Sequence, residues 1–372
     1  MISSGQLFGL LTVNSLILMV STNSIWLGGS DLLDQVISCS VLLVLNFIVV
    51  IPLGLLYRRK PTMNILDYGD YLTGWFGTAI TFFYGLYFLI VNCYYLSAFQ
   101  VFNSNMVNPE VSSWAIITAV LAVAIYTAWK GLESISRTAA FILVMVLIGL
   151  LFIFITVTPQ IRTENFKPIL YDGWHQTIQG TILFFGRSTG IATLAILLPM
   201  ANGNKKIGFT IWNIVTYLLM SIMLVIIVGV LGNAIQTQLF PVYTLASMAG
   251  VGSLQRLDSI LLVVWLMGAL IKVSVDLYLF GMCMQRIFRI KWGGLFIILG
   301  AIIVGIVSII ITKSAVLQRL FFHVYLMAPL TLFAAFIIPF VLLLIDTVKC
   351  KNRTIRRAAT TLEVKHESYG VD

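Results

Sequence analysis

Lys272 and Asp276 lie four residues apart near the middle of an apolar stretch of roughly 32 residues, where charge is least welcome. Spacing of i, i+4 puts both on one face of a helix. Ionisable groups in such a stretch face a cavity or a partner by default. The pair is therefore either a functional charge pair lining a site or a self-satisfied Lys–Asp pair with a packing role. Asp258, five turns earlier on the same face, reads as a cap at the end of that stretch.

A second kind of chemistry comes from polar interruptions of apolar runs. Ser21, Thr22, Asn23 and Ser24 stand together inside the first apolar run, followed by Gly28 and Gly29. Gly186, Arg187, Ser188, Thr189 and Gly190 interrupt the sixth in the same way. Hydroxyl and amide side chains offer the backbone alternatives to helical hydrogen bonds, so both runs are expected to break. The bland alternative is that small residues merely let helices approach closely. Two breaks, one in the opening helix of each half of the chain, favour a site, since that pattern points to an inverted-repeat transporter fold binding its ligand at the midplane. Freed N–H groups would take a carboxylate and freed carbonyls an ammonium, so the cavity suits a zwitterion. Arg187 would add to carboxylate binding if it faces inward and would be a bystander if it faces the headgroups. Asn92 and Tyr95 in the third run either line the path or serve contacts between helices.

Catalytic signatures are missing. There is no GxxxxGK[ST], no GxGxxG and no HExxH. The three histidines (His175, His323, His366) are not at ligand spacing, and the four cysteines are scattered without a CxxC. No enzyme activity, metal or cofactor is expected.

These groups need elements to hold them, and the composition says which. Of 372 residues, 59% are hydrophobic and 10% charged, with a mean hydropathy of +1.00. Soluble domains carry about 25% charged residues, so most of this surface must face lipid. Apolar runs such as 138–158 and 213–231 match helices crossing a ~30 Å hydrocarbon layer, not barrel strands. Spans are expected near 5–28, 33–57, 74–102, 112–129, 136–158, 178–200, 207–232, 255–286, 293–312 and 319–346. The expected fold is thus an all-α integral membrane protein of about ten helices in a 5+5 inverted repeat of the LeuT-like kind, with helices one and six broken. Its single transmembrane domain, 1–346, divides into repeats 5–158 and 178–346, followed by a basic tail, 347–372. Pro61–Thr73 reads as an amphipathic interfacial helix and Leu239–Met248 as a surface or re-entrant helix. Pro159–Gln176 reads as a polar loop with Trp174 as a headgroup anchor.

The formal charge of +9 is distributed by topology and does not mark a nucleic-acid binder. With an even number of spans and the N-terminus inside, sixteen of the 23 Lys and Arg fall in inner segments and five in outer ones. That bias predicts cytoplasmic termini in an inner membrane, with the basic tail drawn to anionic lipid headgroups. The first residues lack a basic n-region and a small-residue cleavage site, so no cleaved signal peptide is expected.

Several segments resemble one family. Gly131-Leu132-Glu133-Ser134-Ile135-Ser136-Arg137-Thr138-Ala139 is similar to the signature before the fifth span of B subunits of spore germinant receptors (GerAB type). Ile2-Ser3-Ser4-Gly5-Gln6, Ile65-Leu66-Asp67-Tyr68 leading to Gly74-Trp75-Phe76-Gly77, and Phe240-Pro241-Val242-Tyr243-Thr244-Leu245-Ala246 resemble the same family. So does Gln255-Arg256-Leu257-Asp258 followed by Trp265 and Lys272. The resemblance implies membership of the amino acid–polyamine–organocation superfamily and binding of a small germinant, often an amino acid. It also implies work beside an A-type and a lipoprotein C-type subunit in the membrane of a dormant spore. The chain departs from the family's usual pattern over Phe184–Gly190 in the sixth span, and at Asp276 in the eighth, where an apolar residue is expected. A secondary amino-acid or polyamine transporter of the same fold, and a structural subunit that binds no ligand, remain the alternatives.

Overall fold

The computed structural model describes residues 2–20, 32–107, 109–166, 173–251, 254–255, 258–290, 292–322 and 324–350. The first interruption, Ser21–Ser24, lies outside them, as do His323, Arg256 and the tail from 351. Helices α1 (Ser4–Val20), α2 (Leu32–Val49), α3 (Ile51–Arg59), α4 (Ile65–Thr73), α5 (Trp75–Phe102), α6 (Ser113–Trp129) and α7 (Leu132–Val157) form the first part of the bundle. The second part comprises α8 (Trp174–Arg187), α9 (Gly190–Leu197), α10 (Lys205–Leu231), α11 (Pro241–Met248), α12 (Asp258–Phe288), α13 (Gly293–Lys313), α14 (Ala315–Phe322) and α15 (Val324–Leu332). From α15 the chain passes through a π turn, Phe333–Ile337, and stays helical to Cys350.

Among the described residues, eight helical stretches are long and apolar enough to cross a membrane. The 17-residue α6 is a shorter apolar helix, and α1, also of 17 residues, runs up to the first undescribed segment. Apolar side chains lie on the outside as well as in the core. Val44, Ile148, Ile155 and Leu218 are exposed, whereas Asn46, Gln100, Asn213, Lys272 and Asp276 are fully enclosed within a mainly hydrophobic interior. That is the pattern of a bundle solvated by lipid that keeps its polar groups inside. Trp174–Met200, the span containing the second interruption, is the most enclosed, with 94% of its apolar window buried.

The second span, expected over 33–57, is the stretch Asp34–Arg59, with its helix assignment interrupted at the single residue Val50. Pro52 has no N–H to return to the preceding turn, so α2 ends at Val49 and α3 starts at Ile51. The interfacial helix starts at Ile65. Asn64 Oδ1 accepts from Asp67 N (2.8 Å) and Asp67 Oδ2 accepts from Asn64 N (3.0 Å), a reciprocal cap that stops the helix from extending back to Pro61. Leu239–Met248 forms α11 from Pro241, and Tyr243 Oη donates to Asp258 Oδ2 (3.0 Å), so Asp258 ties α11 to the first turn of α12. Trp174 opens α8 and is 61% exposed, as an anchoring aromatic would be.

One end of the bundle gathers the cationic residues. Arg286, in the last turn of α12, reaches α4 through Nη1 to Asp67 Oδ1 (2.6 Å), and through Nη2 (2.7 Å) and Nε (3.0 Å) to Asp70 Oδ2. Arg59 pairs with Asp346 (2.6 Å), Lys349 Nζ donates to Leu72 O, and Lys205 Nζ to Tyr57 Oη. At this basic face the strand β1 (Ile2–Ser3) pairs in parallel with β2 (Ala201–Asn202), placing the start of α1 beside the end of α9. A short antiparallel pair, β3 (Gly250–Val251) with β4 (Leu254–Gln255), precedes α12.

Candidate functional site

The sixth span breaks where its residue types say it should. Gly, Ser and Thr are poor helix formers, and α8 stops at Arg187. Ser188 turns away with ψ 65°, its N–H bonded to Phe185 O (2.9 Å), and Thr189 N bonds to Arg187 O (2.9 Å). Helix α9 restarts at Gly190, and its first turn presents N–H groups that have no intrahelical acceptors.

Each polar group of the break is held by a different helix. Thr331 Oγ1, on α15, donates to Gly186 O (2.9 Å), and Tyr87 Oη of α5 lies 3.3 Å from the same hydroxyl. Ser188 Oγ lies 2.9 Å from Tyr217 Oη on α10. That phenol accepts from Asn46 Nδ2 of α2 (2.6 Å), and Asn213 Nδ2 on α10 donates to Leu43 O (3.0 Å). Lys272 Nζ, on α12, donates to Thr189 Oγ1 (3.1 Å) and lies 2.8 Å from Asp276 Oδ2. Both charged side chains are 0% exposed, and Asp276 Oδ1 has no hydrogen bond among the described residues. The charge pair is thus self-neutralising and in direct contact with the break, combining features of both expectations.

The glycines are tightly packed. A Cβ on Gly186 would lie 2.9 Å from Ala328 N, and one on Gly190 would strike the Trp212 ring. Helices α15 and α10 thus fill the space beside the two glycines. Arg187 is 8% exposed, which puts its side chain inside the bundle and away from the headgroups. Asn92 and Tyr95 are buried on one face of α5, and Asn92 Nδ2 donates to Val273 O (3.2 Å), the residue after Lys272. Of the residues singled out in the sequence, Gly186, Arg187, Ser188, Thr189, Gly190, Lys272 and Asp276 come together at the break. Tyr217, Asn46, Tyr87 and Thr331 were not anticipated. Asn46 and Asn213 carried a signal, as lone amides in apolar runs; Thr331 and Tyr87 carried none that sets them apart from ordinary packing residues.

Among the described residues no group of His, Cys, Asp and Glu is placed to hold a metal. The site is an interrupted helix enclosed in a lipid-solvated bundle, and the helices around it define the chain as a multi-pass α-helical membrane protein. A solved Na+-coupled sialic acid symporter, in a substrate-bound outward-open state, shares the fold with a TM-score of 0.59 at 12% identity, over 89% of this chain and 79% of that one. That likeness identifies the LeuT-like architecture. The sequence model of the family described as "Spore germination protein" matches residues 33–316, and the chain belongs to that family. A curated relative, spore germination protein YndE of Bacillus subtilis (strain 168), is 25% identical over 242 residues, covering 63% of this chain and 67% of that protein.

Proposed function

We propose that this chain is the B subunit of a nutrient germinant receptor and binds a small germinant, an amino acid zwitterion, at the break between α8 and α9. The observation that carries this is the anchoring of the break. Gly186 O, Ser188 Oγ and Thr189 Oγ1 are held by α15, α10 and α12 respectively. A ligand competing for any of these groups changes the hold of a whole helix, and differential contact of that kind is what a ligand needs to shift a conformational equilibrium. The germinant carboxylate meets the N–H groups opening α9 with Arg187 nearby, and its ammonium competes with Thr331 for Gly186 O at the end of α8. Ser21, Thr22, Asn23 and Ser24 supply the matching break of the first span, in a domain of two repeats, 5–158 and 178–346. Asn92 and Tyr95 border the site from α5.

The receptor spans the inner membrane of the spore with both termini cytoplasmic. A-type and lipoprotein C-type subunits receive the shift, and the basic tail from 347 meets anionic lipid. Family membership supports this assignment, and the symporter's fold supports a second one, secondary transport of an amino acid or polyamine through the same site. Spores lacking the gene, tested against a panel of amino acids, should lose the response to one or a few of them. Ser188→Leu should reproduce that loss while the protein still accumulates. Uptake of the same amino acid into proteoliposomes at a sustained rate would instead establish the transporter. Unaltered germination across the panel would leave only a structural subunit.

A further inference from the structure

Asn14 in α1 is 1% exposed, and neither its Oδ1 nor its Nδ2 has a hydrogen-bond partner among the described residues. On α10, Trp212 Nε1 and Thr216 Oγ1 are buried and unpartnered in the same sense. A buried carboxamide with neither end satisfied is costly compared with leucine, which has nearly the same shape.

The faces of α1 follow from three contacts. Gly9 faces Leu143 of α7, Phe8 lies on Gly208 of α10, and Ile17 lies on Gly268 of α12. At about 100° per residue, Asn14 is turned roughly 140° from Gly9, 120° from Phe8 and 60° from Ile17. It therefore faces away from α7, between α10 and α12, where α9 packs against α1. One register gives its height. Ile17 lies on Gly268, and one turn nearer the basic face the same two helices present Asn14 and Lys272. Lys272 Nζ is bonded to Thr189 Oγ1 (3.1 Å), which sets Asn14 level with the break. Trp212 lies against Gly190, and Thr216 follows one turn later on the same face of α10.

We propose that Asn14, Trp212 and Thr216 form a side-chain subsite beside the break that selects a ligand with an uncharged hydrogen-bonding side chain, a carboxamide above all. This rests on the germinant-site assignment and deepens it. Asn14 offers both an acceptor and donors, which a carboxamide answers in reverse, and the Trp212 indole can only donate and so needs a carbonyl. A charged side chain would meet Lys272 and Asp276 already paired with each other at 2.8 Å. An aliphatic one would leave every orphaned group unsatisfied.

The test is binding of L-asparagine, L-leucine and L-alanine to the full-length chain in lipid nanodiscs by titration calorimetry. Asparagine should bind about tenfold or more tighter than leucine. Asn14→Leu should erase or invert that ratio and leave alanine, whose methyl does not reach the subsite, within about twofold. Thr216→Val should narrow the ratio, and it carries the test if Asn14→Leu fails to accumulate. An asparagine-to-leucine ratio unchanged by the variant tested, together with a raised melting temperature, would overturn the subsite and leave the orphaned groups simply hydrated. If the wild-type chain binds all three amino acids alike, only the subsite falls; if it binds none, the germinant-site assignment falls with it.

Discussion

The most consequential side chains are Lys272 and Asp276, because the bundle offers no water to either. Removing one partner of a buried pair leaves an uncompensated charge, at a cost of about 3–5 kcal/mol, so Lys272→Met should sharply lower the amount of protein in the membrane. Lys272→Met combined with Asp276→Leu removes both charges and should restore accumulation, as read by immunoblot of membrane fractions. It should not restore germination, because Thr189 Oγ1 would still lack the ammonium that holds it at 3.1 Å. Full recovery of germination by the double variant would reduce the pair to a packing device. Thr189→Val isolates the same contact more gently. It leaves the 2.8 Å ion pair intact, and loss of one hydrogen bond of about 1 kcal/mol should move the germinant dose–response curve by roughly fivefold.

Among the elements, the broken span and its neighbours decide how firmly the site is held. Gly186→Val must push α15 away from α8, because Ala328 N would be 2.9 Å from the new Cβ. Overpacking of this kind costs about 1–3 kcal/mol, which thermal unfolding in detergent would detect. Thr331→Val, which loses only the bond to Gly186 O, should cost less. The break itself was legible in the sequence because five consecutive residues there combine flexibility with hydrogen-bonding side chains. The interfacial helix was legible because polar residues punctuate it at helical spacing. What holds the break was not legible. Tyr87, Tyr217 and Thr331 lie 99 or more residues from it or on the far side of a turn of chain, and their meeting is a matter of tertiary packing that no local pattern encodes. The one-residue interruption at Val50 was readable in principle from Pro52, but the continuous apolar run concealed it.

At the scale of the whole molecule, the charge asymmetry gives a direct test of orientation. Cys39, Cys93 and Cys283 are buried and Cys350 is exposed, so replacing Cys350 alone removes the readily labelled thiol of the described residues. In that background, Glu164→Cys and Asn204→Cys should react with a membrane-impermeant maleimide from opposite sides; labelling from one side would overturn the ten-span arrangement. Partly exposed pairs are weak, so Arg286→Gln should leave the bundle folded, yet hydrogen exchange at 65–73 should quicken because Asp67 and Asp70 both lose their cation. Helix α12 carries Lys272 at the break and Arg286 at that clasp, fourteen residues and about 21 Å apart along one rigid axis. Movement at one end must therefore register at the other. A fluorophore on Tyr71, exposed beside the clasp, would then serve as a gauge needle for what occupies the centre of the membrane without ever touching it.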